Sequence, residues 1–239
     1  MEVHDAVATG RALVAERFPD ARAAWLAGSV VSGDATPTSD LDITVLLPGP
    51  PAPFRESLEY DGWPVELFVH TRQTVARWIA KDIERRRPTL VRLISTGVVL
   101  LDDDGVGAAL AEGCASLLAA GPGPVSDADR DSMRYALTDI LDDLADCTEP
   151  VLSAAVAFAA WEQAVRLLLA IDGRWWGTGK WLVRELRAYD AAHGTSYALR
   201  LHAGLGAALE LDPVLLTVVA EEILDAAGGP LWVGYRVEG

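Results

Sequence analysis

The sequence predicts an α+β fold: a small domain of strands and helices over residues 1–123, followed by an all-helical bundle over 124–239. Three observations carry this. As far as Gly123, short apolar runs with strand character are interspersed with helix-period segments. Gly121-Pro-Gly-Pro124 then interrupts regular structure, because proline denies both ladder and helix hydrogen bonds. Beyond it, the apolar patterns all have helical spacing.

Taken in order, His4–Phe18 suits an amphipathic helix, with Val7, Leu13, Val14 and Phe18 as its apolar positions. Ala23–Ala27 and Leu41–Leu47 read as strands. The proline-rich run from Pro48 to Pro53 is a loop. Val65–Val69 is a further strand, with a partner near Glu56–Tyr60. Thr71–Arg86 is a helix, Val98–Leu101 a short strand closed by Asp102-Asp-Asp-Gly105, and Val106–Ala120 a helix. In the second domain Asp127–Cys147, Val151–Ile171, Lys180–His193, Tyr197–Leu209 and Pro213–Ala227 each read as helices bounded by Gly, Pro or Ser.

Composition narrows the function. The 239 residues suffice for one large or two modest domains, and 51% apolar with 23% charged residues is ordinary globular composition. No uninterrupted apolar run reaches the roughly 18 residues of a membrane span. The N-terminus lacks the basic and apolar regions of a secretory signal, and Cys114 and Cys147 do not make a disulfide framework. A cytoplasmic protein is therefore expected. The net charge of −15 opposes binding to nucleic acid, whose phosphates require a basic surface. A nucleotide bound here must be small and escorted by metal, and a cationic second substrate would be attracted. Residues 1–125 carry a net −6 and residues 126–239 a net −9, so the helical part is the more acidic.

The densest chemistry lies in Gly28-Ser-Val-Val-Ser-Gly33-Asp-Ala-Thr-Pro-Thr-Ser39-Asp40-Leu-Asp42, between two strands. Gly28 and Gly33 let backbone approach a ligand closely or take positive φ. Ser29 and Ser39 put hydroxyls beside that backbone. Asp40 and Asp42, two apart at the head of a strand, send their side chains to one face. Like charges that close repel, and a divalent cation is the usual reason to tolerate them. Alternation places Glu66 and Phe68 on one face of their strand and Val65, Leu67 and Val69 on the other. A strand beside Asp40 and Asp42 would aim Glu66 at the same ion. Three carboxylates next to a Gly-Ser turn suit metal-assisted nucleotidyl transfer. One ion orients a triphosphate, and a second lowers the pKa of an attacking hydroxyl.

The run Gly28-Ser29…Gly33…Ser39-Asp40-Leu41-Asp42, with Glu66 on a later strand, resembles the DNA polymerase β-like nucleotidyltransferase superfamily. The layout of the whole chain looks most like its bacterial aminoglycoside nucleotidyltransferases, enzymes of antibiotic resistance. The resemblance implies a small mixed-sheet nucleotidyltransferase domain followed by a helical domain, with ATP as co-substrate and Mg²⁺, two ions, as cofactor. Gly28, Ser29 and Ser39 would then meet the nucleotide phosphates. Asp40 and Asp42 would hold magnesium, and Glu66 would be the third ligand or the general base.

A second match lies in the helical domain. Trp161-Glu-Gln-Ala-Val-Arg166 is followed by Gly173-Arg-Trp-Trp-Gly-Thr-Gly-Lys180-Trp, which resembles the enzymes that adenylylate streptomycin and spectinomycin. By that resemblance Arg166 and Lys180 reach the triphosphate across an interdomain cleft. Lys180 follows a Gly-Thr-Gly turn at a helix N-terminus, where free N–H groups already favour an anion. The acidic pair that contacts the drug in that group falls here on Leu152 and Val156, so either Glu162, Asp146 or Glu149 serves instead or the acceptor differs. The expected activity is transfer of a nucleoside monophosphate, AMP from ATP, to a hydroxyl of a small cationic acceptor, with neither nucleic acid nor membrane as partner. The alternatives are transfer to a protein partner and non-catalytic nucleotide binding.

Overall fold

The structure, a computed structural model, describes residues 3–237. The chain divides into two compact units, Met1–Gly121 and Pro122–Gly239.

The first unit runs α1 (Val3–Arg17), β1 (Ala23–Ala27), the single-turn helix α2 (Ser29–Ser32), β2 (Leu41–Leu47), β3 (Phe54–Tyr60), β4 (Trp63–Thr71), α3 (Arg72–Glu84), α4 (Thr89–Ser95), β5 (Val98–Asp102) and α5 (Val106–Ala120). Its five strands form one mixed sheet in the order β3-β4-β2-β1-β5. Only β2 and β4 pair in parallel. Between β3 and β4 the two-residue turn Asp61-Gly62 has φ of 49° and 77°, the positive values a tight hairpin requires. The hairpin therefore extends β4 two residues before Val65, to Trp63.

Register sorts the side chains by face. Leu41, Ile43, Val45 and Leu47 of β2 pair with Val65, Leu67, Val69 and Thr71 of β4. Their apolar members join Leu13, Val14, Phe18 and Leu26 in one core. Trp25, Leu46 and Ala23 face the opposite way and pack against Val75, Leu90, Val91, Ile94 and Cys114 of α3, α4 and α5. Each fully buried Leu or Ile side chain contributes roughly 1.5–3 kcal/mol. The sequence reading did not include α4, a seven-residue helix that starts directly after Pro88. Its N-terminus is held from a distance: Leu90 and Val91 donate their N–H groups to Asp82 of α3, at 2.8 and 3.1 Å.

The second unit is helical: α6 (Asp127–Asp146), α7 (Pro150–Ile171), α8 (Lys180–His193), α9 (Tyr197–Leu209) and α10 (Val214–Ala227). Ser126 caps α6, accepting from Asp129 N–H at 3.1 Å. Both oxygens of Glu149 cap α7, accepting from Val151 and Leu152 at 3.1 and 2.7 Å. Asp190 of α8 accepts from Tyr197 and Ala198 N–H, each at 2.8 Å, and so fixes the start of α9. A Cβ on Gly204 would lie 2.8 Å from the Leu216 backbone, so glycine there lets α9 and α10 touch. Leu137, Ala160, Ala164, Leu168, Leu186, Leu201 and Ile223 are among the buried residues of this unit's core. Among the described residues one helix, Pro150–Ile171, is long and apolar enough to cross a membrane by length and composition. Its buried side is the centre of that core, and Glu162 and Arg166 interrupt its apolar run.

Candidate active site

The site begins where β1 ends. At Gly28 the backbone has φ 85° and ψ −167°, a region that belongs to glycine. A Cβ there would sit 2.2 Å from Asp42 Oδ2. Glycine thus does two things at once: it makes the turn, and it lets the turn lie directly on a carboxylate. The next four residues form α2, closed by Gly33 in the left-handed region at φ 82°. Val31 and Ser32 donate their N–H groups to Gly28 O at 3.2 and 3.1 Å, so the turn's own bonds do not use the N–H groups of Ser29 and Val30.

Ser39 ties the following loop back to this turn. Ser29 Oγ donates to Ser39 Oγ at 2.7 Å, and Thr36 N–H donates to the same oxygen at 2.9 Å. Ser39 is itself buried. The two serines therefore form one hydrogen-bonded unit that brings residues 36–39 against Ser29. Asp40 follows immediately, and Asp42 is the second residue of β2.

Asp42 pairs directly with Glu66 across the parallel β2–β4 ladder. One ligand oxygen from each of Asp40, Asp42 and Glu66 lies within 4.8 Å of the others. All three side chains are partly exposed. Asp42 and Glu66 occupy the same sheet face as Trp25 and Leu46, the face on which α3, α4 and α5 pack. This fits a divalent cation. Asp40, Asp42 and Glu66 could each turn one oxygen onto a shared divalent ion. The donor set is all carboxylate, the hard-oxygen chemistry magnesium prefers.

A fourth charged residue, absent from the sequence reading, completes the cluster. Arg55 of β3 donates from Nε to Glu66 Oε1 at 2.9 Å, and its Nη2 makes a second, shorter contact to the same oxygen. Its guanidinium also lies 5.0 Å from the Phe68 ring centroid. The antiparallel β3–β4 register explains both contacts: Arg55 pairs with Phe68, and Ser57 with Glu66. Further along this face His70 is buried, and burial lowers its pKa.

The remaining predicted residues belong to the second unit. Arg166 donates from Nη2 to Glu162 Oε1 at 2.8 Å, one turn earlier on α7. Its guanidinium lies 5.8 Å from the Trp176 ring centroid, and its Nε is buried without an acceptor. Lys180 is the first residue of α8, exposed, after Gly179 at φ 53°. Asp146 is exposed at the end of α6. The structure thus joins Glu162 to Arg166, residues the sequence reading gave to different ligands. Glu149 is committed to its cap.

Residues 10–96 match the family model for the nucleotidyltransferase domain. That stretch contains the whole Gly28–Asp42 run, Arg55 and Glu66. A solved structure, a nucleotidyltransferase-like protein from Exiguobacterium sibiricum 255-15, aligns with 92% of this chain and 74% of its own, at 14% identity and a TM-score of 0.44. No curated protein matches the chain at a significant level. The first unit therefore carries a nucleotidyltransferase domain, and the protein is an enzyme of the nucleotidyltransferase class.

Proposed function

We propose that the enzyme transfers AMP from ATP to a hydroxyl of a small cationic acceptor of the aminoglycoside class, in a magnesium-dependent reaction. The observation that carries the chemistry is the convergence of Asp40, Asp42 and Glu66 beside the Gly28 turn. The acceptor oxygen attacks the α-phosphorus. The bond from that phosphorus to the oxygen bridging to the β-phosphate breaks, and pyrophosphate leaves with the electron pair. The hydroxyl proton passes to a carboxylate or to water.

Asp40, Asp42 and Glu66 would hold the magnesium, which supplies neutralisation of phosphate charge and of the departing pyrophosphate. The protein's own groups do the rest. The turn at Gly28 and Ser29 offers backbone N–H groups to phosphate oxygens. The Ser29–Ser39 hydrogen bond keeps that turn and the carboxylates in register. In the second unit, Arg166 and Lys180 are the groups proposed to meet the triphosphate. Arg166 would exchange Glu162 for phosphate oxygens, a planar fork suited to either partner.

The acceptor reading rests on charge. The helical part carries a net −9 and draws in cations, with Glu162 and Asp146 as the proposed contacts. The test is pyrophosphate release from each nucleoside triphosphate against a panel of amino sugars, with radiolabelled ATP to follow the product. Label in a small cationic product supports the reading. Label in protein from an added lysate moves the acceptor to a partner protein, and no Mg²⁺-dependent release with any acceptor removes it.

A further inference from the structure

The Arg55–Glu66 contact has the wrong sign for a side chain that serves only a metal site. A guanidinium placed on a metal ligand competes with the metal for the same electrostatic well. We propose that Arg55 is a resident counter-cation of the carboxylate cluster: it holds Glu66 in place before metal arrives, and it lowers the affinity of the site for a free divalent ion. This rests on reading Asp40, Asp42 and Glu66 as the metal ligands.

Three observations support it. First, both short contacts from Arg55 converge on one oxygen, Oε1. Glu66 is thereby fixed in one rotamer, and its other oxygen is left unengaged by the guanidinium. Second, the Arg55 side chain is 63% exposed and that of Glu66 20%. The arginine can therefore leave towards solvent, whereas the glutamate cannot easily follow. Third, the guanidinium rests on Phe68, so its position on this face is set by the sheet register as well as by charge.

An exposed ion pair by itself contributes between nothing and about 1 kcal/mol. This pair differs because Glu66 also faces two other carboxylates within 4.8 Å. Arg55 offsets the repulsion that Glu66 meets from those two carboxylates when no metal is bound. The consequence is a site that stays folded without metal and takes up a lone ion weakly.

The test is thermal unfolding and calorimetric binding with Mn²⁺ alone, on the wild-type protein, Arg55→Ala and Arg55→Lys. Arg55→Ala should melt lower than wild type in EDTA and recover most of that loss at saturating Mn²⁺, so its metal-induced rise in Tm is the larger. Its Mn²⁺ affinity should tighten by on the order of tenfold, the effect of removing one unit charge from beside a divalent ion near solvent. Arg55→Lys, which keeps the charge, should bind Mn²⁺ within about threefold of wild type. If wild type binds Mn²⁺ and Arg55→Ala shows the same affinity and the same metal-induced rise, the arginine is an ordinary surface partner and the proposal fails. If neither wild type nor Arg55→Ala binds Mn²⁺, the metal-site reading falls, and the proposal with it.

Discussion

The two units place their charged residues by different means. In the first, strand register brings charge together: Asp42 is set opposite Glu66 by the β2–β4 ladder, and Arg55 reaches Glu66 through the β3–β4 ladder. In the second, the two predicted site residues that meet do so by helix periodicity alone. Glu162 and Arg166 are one turn apart on α7 and bond each other. A sheet can assemble like charges that only an added ligand would justify. A helix face tends to neutralise its own. The first unit thus gathers three carboxylates beside one arginine, and the second pairs Arg166 with one carboxylate. The nucleotidyltransferase domain accordingly lies in the first unit.

The sharpest way to break the first half of this comparison is Gly28→Ala. Its methyl would fall on Asp42 Oδ2, and alanine is strained at φ 85°. Activity should fall at least a hundredfold, with a stability loss of about 1–3 kcal/mol, measured by steady-state kinetics and denaturant unfolding. Unchanged activity would show that the turn does not need to lie on the carboxylate.

The second half is tested by Arg166→Ala and Glu162→Gln together. If Arg166 meets the triphosphate as proposed, Arg166→Ala should raise the KM for the nucleoside triphosphate about tenfold, the value of one charge-assisted contact. If Glu162 only holds Arg166, Glu162→Gln shifts the same KM. If it contacts the acceptor, the acceptor KM rises instead. That split decides whether the helix pair is one functional unit or two.

The smallest effect concerns a carboxylate of the scaffold. Burial pushes Asp82 up to about 6 despite the two N–H groups it accepts. Its folded pKa thus lies above the unfolded value, so between about pH 4 and 6 the native state binds more protons and stability falls as pH rises. Unfolding of wild type measured against Asp82→Asn, which keeps an acceptor but does not titrate, should show this difference declining over that window. After screening by solvent the change is on the order of 1–2 kcal/mol. A flat difference would mean that Asp82 is not desolvated.

Most of the fold was legible because its signals are local. Ala23–Ala27 and Leu41–Leu47 stand out as apolar runs, and alternation alone told which face Glu66 takes. The hairpin was half legible. Asp61-Gly62 is a strong turn signal, but the added length of β4 comes from pairing with β3. The short helix α4 escaped because seven residues after a proline carry little periodicity, and its N-terminus is capped by Asp82 from another helix. Arg55 escaped for a related reason. It lies one residue before the segment read as a strand, and only the β3–β4 register shows that it meets Glu66.

The central claim is that Asp40, Asp42 and Glu66 form the metal-dependent catalytic centre of a nucleotidyl transfer. Pyrophosphate release from ATP with Mg²⁺ and a responsive acceptor, compared between wild type and Asp40→Asn, tests it most directly. The account predicts a loss on the order of a thousandfold in the variant, with a circular dichroism spectrum and Tm that show an intact fold. Turnover retained near the wild-type rate in a folded Asp40→Asn protein would contradict it.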